Sequence, residues 1–201
     1  MNIAKIKKGL IWFLKSWLWI IPLLFFLDIL TKQLFEKVIL KTDGNSITVI
    51  PHFISFTLTH NLGAAWGIFA GMDWLLITFS VVCGILMVAF LVYKYKVLRL
   101  STKIALMLMI SGAFGNLIDR AFYPNGVIDF IEFTFIDFPI FNLADAFLVI
   151  GVIVLVISEI VNEVKDHNKK SKNEKADEDE AFNKFSENLK EKEQDSKKDE
   201  Q

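Results

Sequence analysis

The sequence is short of the residues that form covalent cross-links and metal centres. Its 201 residues include a single cysteine, Cys83, which lies inside an apolar run, so an intramolecular disulfide and a thiolate metal cluster are both excluded. His52 and His60 have no matching carboxylate pattern, and they do not indicate a metal site. There is also no glycine-rich phosphate loop and no basic surface for nucleic acid. We therefore expect no metal, no cofactor and no nucleic-acid partner.

Apolar residues are abundant instead. They make up 53% of the chain, with 19 phenylalanines and 5 tryptophans, which exceeds the usual content of a soluble domain of this size. A secretory signal is not indicated, because no small-residue cleavage site follows Leu27. Four stretches approach the roughly 20 apolar residues that a spanning helix needs. The sequence thus predicts an integral membrane, all-α protein with four transmembrane helices, near residues 16–34, 74–93, 102–121 and 138–160.

Basic residues indicate the orientation of these helices, since they concentrate in short cytoplasmic connections. Lysines precede the first helix, and basic residues recur between the second and third. The connection at residues 122–137 has no basic residue and carries acidic ones. We expect both termini in the cytoplasm, with residues 35–73 and 122–137 on the outer face.

The outer segment at residues 35–73 is too long for a tight turn. It carries β-branched and aromatic residues at 47–50 and 53–59, a composition typical of strands. The sequence therefore predicts a small extracytoplasmic β-sheet between the first and second helices.

The end of the chain differs in composition from the rest. Residues 161–201 are rich in lysine, aspartate and glutamate and have almost no apolar residues. Such a segment cannot bury a core, so we expect a cytoplasmic tail that is either disordered or a fraying charged helix. The membrane domain is then residues 1–160.

Ionisable side chains gather toward the outer end of the predicted bundle. Asp28 and Lys32 lie toward the outer end of the first helix, Asp119 and Arg120 at the outer end of the third, and Asp145 near the outer start of the fourth. Charged groups are costly inside a bilayer and tend to be functional. We therefore expect a site just beneath the outer interface.

Two helices carry the same short motif, Asn116-Leu-Ile-Asp119 and Asn142-Leu-Ala-Asp145. A spacing of three places each amide on the same helix face as its aspartate, where it can support that carboxylate or a substrate backbone. Asp129 lies between the two motifs, in the short outer connection. Three aspartates, 119, 129 and 145, therefore compete for the two positions of an acid/base pair.

Paired carboxylates suit amide hydrolysis, because close like charges share one proton and so supply both a base for water and an acid for the carbonyl oxygen. The residues alone leave other interpretations open. The same groups could hold the helices together as a structural network. They could also line a proton-coupled transporter, for which the second and fourth helices lack a continuous polar path. A serine nucleophile activated by Lys32, at Ser46 or Ser55, has no supporting spacing.

Five ordered blocks are spread along the chain from Asp28 to Asp145. They are Asp28-Ile-Leu-Thr-Lys32, Asn61-Leu-Gly-Ala-Ala-Trp66, Gly112-Ala-Phe-Gly-Asn-Leu-Ile-Asp-Arg120, Val127-Ile-Asp-Phe130 and Phe141-Asn-Leu-Ala-Asp145. In this order they resemble the lipoprotein signal peptidases, also called signal peptidase II. The resemblance implies a four-helix membrane fold with an outer sheet and a catalytic pair at Asp129 and Asp145. It makes Asp119 a supporting residue, either paired with Arg120 or holding the third helix.

The resemblance also implies the substrate and the setting. Family substrates are prolipoproteins whose lipobox cysteine carries a diacylglyceryl group, and the cut precedes that cysteine. Asp28 and Lys32 would be a supporting pair, and the side chains holding the substrate backbone would be Asn61, Asn116, Arg120 and Asn142. We expect a monomeric enzyme of the bacterial cell membrane that contacts membrane lipids and has its active site near the outer face.

Overall fold

A computed structural model describes the backbone of residues 3–199 and the side chains of residues 7–174, except those at positions 10 and 12. The chain divides into two compact units, Met1–Val156 and Ile157–Gln201. In chain order the elements are α1 Ile3–Lys15, α2 Ile20–Ile39, β1 Ser46–Ile50, β2 Ile54–Asn61, α3 Asp73–Lys94, α4 Leu100–Phe122, β3 Val127–Phe133 and α5 Leu143–Asp199.

Four helical segments of the described residues are long and apolar enough to cross a membrane. They are Trp17–Ile39, Asp73–Lys94, Leu100–Phe122 and Leu143–Glu174, so the four predicted transmembrane helices are confirmed. The last of them begins at Leu143 rather than near Phe138, because the chain just before it is extended and Phe141 pairs with Ile131 of β3. Its helix α5 continues into the charged segment, whose role as a separate tail stays a prediction.

The helix α4 is the centre of the bundle. It has 11 buried residues, whereas α2 has three and α3 has two. Small residues between Ser111 and Gly115 allow the close packing that this position needs. A Cβ atom on Gly115 would lie 2.5 Å from Asp28 Oδ2, and one on Gly112 would lie 2.8 Å from the Leu148 side chain.

A separate helix, α1, precedes the first span, and the sequence did not predict it. α1 ends at Lys15, and Ser16 has an extended backbone (ψ 150°) before the spanning segment starts at Trp17. The Ser16 hydroxyl donates to the Phe13 carbonyl oxygen at 2.7 Å, which closes the last turn of α1. The lysines read as a flank of the first span therefore belong to a short helix of their own.

The sheet is antiparallel in the order β1, β2, β3. Strands β1 and β2 lie between the first two spans, as predicted. The third strand comes from the connection between the third and fourth spans, which the sequence analysis read as a loop. Its pairing with β2 sets Asp129 opposite Thr59 and Val127 opposite Asn61. The sheet is thus assembled from two separate connections.

Aromatic side chains join this sheet to α2. The Phe35 ring stacks on Phe130 of β3, with centroids 4.5 Å apart, and lies 4.4 Å from the ring of Phe56 on β2. Phe130 is buried. This packing fixes the sheet against the C-terminal half of α2.

Candidate active site

Asp129 is a buried carboxylate on the third strand. Only 2% of its surface is exposed, and both of its oxygens accept hydrogen bonds from side-chain amides. Asn142 Nδ2 donates to Oδ1 at 2.6 Å, and Asn61 Nδ2 donates to Oδ2 at 3.2 Å. Strand pairing explains the arrangement, since Asn61 ends β2 close to where Asp129 lies on β3.

Asp145 lies in the first turn of α5 and belongs to its N-terminal cap. The backbone N–H of Asp145 donates to Asn142 Oδ1 at 3.1 Å, and the backbone N–H of Asn142 donates to Asp145 Oδ2 at 3.1 Å. Such reciprocal bonds satisfy donors that a helix start leaves unpaired. The other oxygen, Oδ1, accepts from Asn116 Nδ2 at 2.7 Å. The cap thus holds this carboxylate in one orientation.

Two asparagines connect the carboxylates to each other. Asn142 is fully buried, and its Nδ2 lies within hydrogen-bonding distance of Asn116 Oδ1 (3.0 Å) as well as of Asp129. Asn116 in turn donates to Asp145. The sequence left open whether Asn116 supports Asp119 or a substrate backbone; its amide nitrogen instead reaches the aspartate of the next span. Asp129 and Asp145 are therefore joined through two amide side chains.

Asp129 and Asp145 also line the same cavity, of about 450 Å³. Asn61, Asn116 and Arg120 complete its polar part. The remaining wall is largely apolar and includes Phe133, Phe138, Phe141, Leu148, Val149 and Ile150. A smaller cavity of about 310 Å³ meets the first at Asn61 and Asp129 and lies against the loop that follows β2. The two carboxylates therefore face a space that can hold an apolar peptide.

The environment of Asp129 favours its protonated form. Burial raises the pKa of its carboxyl from 3.8 to about 7, and the negative charge of Asp145 acts in the same direction. The amides of Asn61 and Asn142 and the more distant charge of Lys32 oppose this rise. Near neutral pH the carboxyl can therefore either hold or release a proton.

A second pair of aspartates is held by an ammonium group. Lys32 Nζ lies 2.8 Å from Asp28 Oδ2 and 2.7 Å from Asp119 Oδ2, and all three residues are buried. Asp28 Oδ1 accepts from the Ala144 amide at 2.9 Å, which ties α2 to the start of α5. Of the two roles expected for Asp119, pairing with Arg120 and holding the third span, the structure supports the second.

Arg120 points away from Asp119, because successive helix positions differ by about 100° in direction. Its Nη2 donates to the Gly63 carbonyl oxygen at 3.1 Å, while the Gly63 amide donates to Asn61 Oδ1 at 2.9 Å. Sequence reasoning did not assign a role to Gly63. Its position inside the block beginning at Asn61 was the available signal, but a backbone acceptor has no signature of its own.

His60 also has a partner that the sequence did not indicate. Its Nε2 lies 3.1 Å from Glu36 Oε1, which links β2 to α2. Among the side chains that the structure describes, no three His, Cys, Asp or Glu residues are grouped as metal ligands.

Comparison with known proteins covers the region that contains this site. Residues 20–161 match the family model described as signal peptidase (SPase) II. Lipoprotein signal peptidases of Staphylococcus aureus strains MRSA252 and JH9 are each 42% identical over 120 residues, which is 57% of this chain and 71% of theirs.

Two solved structures described as bacterial membrane enzymes are also similar. Their TM-scores are 0.64 and 0.58, at 35% and 37% sequence identity. The matches cover 72% and 69% of this chain, and 87% and 88% of the solved chains. All of the predicted site residues lie within the range matched by the family model, and α1 lies outside it.

Proposed function

This chain belongs to the signal peptidase II family, and from that premise we propose that it is an aspartyl endopeptidase in which Asp129 and Asp145 form one acid/base unit. It is a protease that removes signal peptides from prolipoproteins, as its relatives are named for doing. The cut precedes a cysteine that carries a diacylglyceryl group. The observation that carries the assignment of the pair is that both carboxylates line one cavity while two asparagines join them.

The raised pKa of Asp129 supports this pairing. Two adjacent carboxylates in a medium of low dielectric do not both ionise easily, so they tend to share a proton. With the pKa of Asp129 near 7, the pair can hold one proton at neutral pH. A base and an acid are then available together, and their titration belongs to the pair rather than to either residue.

The reaction needs no covalent bond between the enzyme and its substrate. The ionised carboxylate takes a proton from water as the water oxygen bonds to the carbonyl carbon, and the protonated carboxyl gives its proton to the carbonyl oxygen. In the resulting gem-diol, one hydroxyl returns its proton to the carboxylate that donated it. The other carboxyl protonates the nitrogen as the carbon–nitrogen bond breaks. The pair ends with one proton, as it began.

Arg120 is proposed to hold the substrate beside the pair. It lines the main cavity, and one of its nitrogens is occupied by the Gly63 carbonyl. Its buried Nε has no hydrogen-bond partner among the described residues, and a buried unpaired donor is costly. A substrate carbonyl or lipid ester oxygen would satisfy it. Asn61, Asn116 and Asn142 would hold the pair and the substrate backbone.

The four spanning helices make the chain a multi-pass membrane protein, and the finer localisation is part of the proposal. The distribution of basic residues supports cytoplasmic termini and a site near the outer face. A cysteine replacing Asn45 in a Cys83→Ser background should react with an impermeant thiol reagent in intact cells. One replacing Lys96 should not, and the reverse pattern would contradict this topology. We further propose a monomer that contacts membrane lipids.

Cleavage of a purified diacylglyceryl prolipoprotein tests the proposed function. The wild-type enzyme should release the signal peptide in the presence of chelators and of serine or thiol reagents. Asp129→Asn and Asp145→Asn should each lower kcat by roughly 10³-fold or more, since each removes the shared proton. The double variant should lose little beyond either single one. A wild-type rate in Asp145→Asn would exclude the aspartyl mechanism.

A further inference from the structure

Among the described residues, Lys32 has no hydrogen bond or ion pair with Asp129 or Asp145. A series of hydrogen bonds nevertheless connects it to both. Besides its two ion pairs, its Nζ lies 3.0 Å from Asn116 Oδ1. Three acceptor oxygens thus lie within 3.0 Å of Nζ: Asn116 Oδ1 accepts a hydrogen bond, and the two carboxylates are ion-pair partners, although Asp28 Oδ2 has no hydrogen-bond partner among the described residues. The lysine is therefore held in one position.

The contact with Asn116 determines how that amide is turned. A side-chain amide has a donor end and an acceptor end, and the two can exchange by a half-turn of the group. An ammonium only donates, so the oxygen of Asn116 must face Lys32. The nitrogen of Asn116 then faces Asp145, to which it donates at 2.7 Å. The opposite orientation would set an amide oxygen against the Asp145 carboxylate.

The same orientation extends to the other carboxylate. With its oxygen directed inward, Asn116 also accepts from Asn142 Nδ2 at 3.0 Å. That nitrogen lies 2.6 Å from Asp129 Oδ1. A half-turn would exchange the oxygen and the nitrogen of the Asn116 amide. Its nitrogen would then face the nitrogens of Lys32 and Asn142, and Asn142 would lose this acceptor. One donor contact from Lys32 thus bears on both members of the pair.

We propose that Lys32 is a positioning residue for the reaction, acting through the orientation of the Asn116 amide, and that neutralising Asp28 and Asp119 is only part of its role. This inference rests on the proposed function. The rival account is that Lys32 serves the fold alone, as the counter-ion of two buried carboxylates. The two accounts differ in what happens when the charge is balanced but the contact with Asn116 is lost.

A charge-balanced pair of variants separates them. Asp119→Asn is the control, because it keeps Lys32 and its contacts with Asp28 and Asn116. Adding Lys32→Met returns the net charge of the cluster to that of the wild type but leaves Asp28 without its counter-ion, and the substitution cycle with Asn116 described next separates that effect from the loss of the Asn116 contact. We expect the double variant to have a kcat at least 30-fold below that of Asp119→Asn, with KM within about threefold. Equal kcat values would overturn the proposal.

A double-substitution cycle then tests the route. Asn116→Ala should lower kcat at least 30-fold in the Asp119→Asn background, but less than threefold when Lys32→Met is also present, because the orienting contact is already lost. A purely structural lysine would leave the two effects independent. Equal losses in both backgrounds would therefore contradict the proposal, even if Lys32→Met slows the enzyme.

Folding is measured for every variant by thermal unfolding in detergent. If the first double variant does not fold, Lys32→Met with Asp28→Asn is compared with Asp28→Asn alone, since asparagine at 28 keeps an acceptor for the Ala144 amide. Failure of both charge-balanced variants to fold would assign Lys32 to the fold and overturn the inference. The proposed function is judged separately, by whether Asp129→Asn and Asp145→Asn abolish cleavage.

Discussion

Two pairs of aspartates are connected through Lys32, Asn116 and Asn142, yet they are held in different ways. Asp28 and Asp119 are bound by one buried ammonium group, within 2.8 Å of each carboxylate. Asp129 and Asp145 are held mainly by neutral amides and border the main cavity. The first pair has a cation as its partner, whereas the second is held by neutral amides, and burial raises the pKa of the Asp129 carboxyl. All four residues are aspartates, so the proposed difference between a structural and a catalytic role lies in the group that holds each carboxylate.

The largest expected effect on stability comes from removing the ammonium. Lys32→Met leaves two buried carboxylates without a counter-ion, and breaking a buried ion pair in this way typically costs about 3–5 kcal/mol. Thermal unfolding in detergent should show a clear fall in the transition midpoint. At pH 5, Asp129→Asn is the matched control, since it exchanges a protonated carboxyl for a neutral amide and leaves no charge unpaired, and it should melt close to the wild type. Equal midpoints for wild type and Lys32→Met would remove the distinction between the two pairs.

The pH dependence of stability sharpens the comparison. The folded pKa of Asp129, about 7, lies above the ordinary 3.8, so between these values the folded protein holds a proton that the unfolded chain has released. The free energy of unfolding should then fall as pH rises from 4 to 8, by up to roughly 4 kcal/mol from this group. Asp129→Asn should flatten this part of the profile. A profile as steep as that of the wild type would contradict the raised pKa.

A smaller effect is expected at Arg120, which lies beside the second pair. Arg120→Lys keeps the charge, but one ammonium cannot reproduce the planar guanidinium, which donates to the Gly63 carbonyl and carries a buried Nε without a hydrogen-bond partner among the described residues. We expect kcat/KM to fall roughly 10- to 100-fold at unchanged thermal stability. The assay is cleavage of the diacylglyceryl prolipoprotein. Activity equal to that of wild type would make Arg120 an interfacial anchor only.

The fold could be predicted from the sequence wherever the signal was local. Long apolar runs gave the four spans, and β-branched residues gave β1 and β2. The strand β3 and the extended residues before α5 were not predicted. Residues 138–142 are as apolar as the start of a spanning helix, so they were assigned to the fourth span. Their conformation depends on the pairing of Phe141 with Ile131, which helical periodicity does not reveal.

In the site, too, local contacts could be predicted from the sequence and long-range contacts could not. Asn142 and Asp145 meet within one helix start, so their spacing was informative. Asn116 has the same spacing from Asp119, but its amide nitrogen donates to Asp145 on the next span and its oxygen accepts from Lys32. The resemblance to signal peptidase II supplied the choice of Asp129 over Asp119, which the residues alone left open. Contacts across 84 residues of sequence, such as that between Lys32 and Asn116, have no local signal.

The central claim is that the amide-held aspartates carry the reaction and the ion-paired ones do not. The most direct measurement is the single-turnover cleavage rate of Asp129→Asn beside that of Asp119→Asn, on folded enzyme and the same diacylglyceryl prolipoprotein. The account predicts that Asp129→Asn is slower than wild type by roughly 10³-fold or more, while Asp119→Asn retains measurable cleavage and loses mainly stability. If Asp129→Asn cleaves and folded Asp119→Asn does not, the acid/base pair is Asp119 with Asp145, and the account is contradicted.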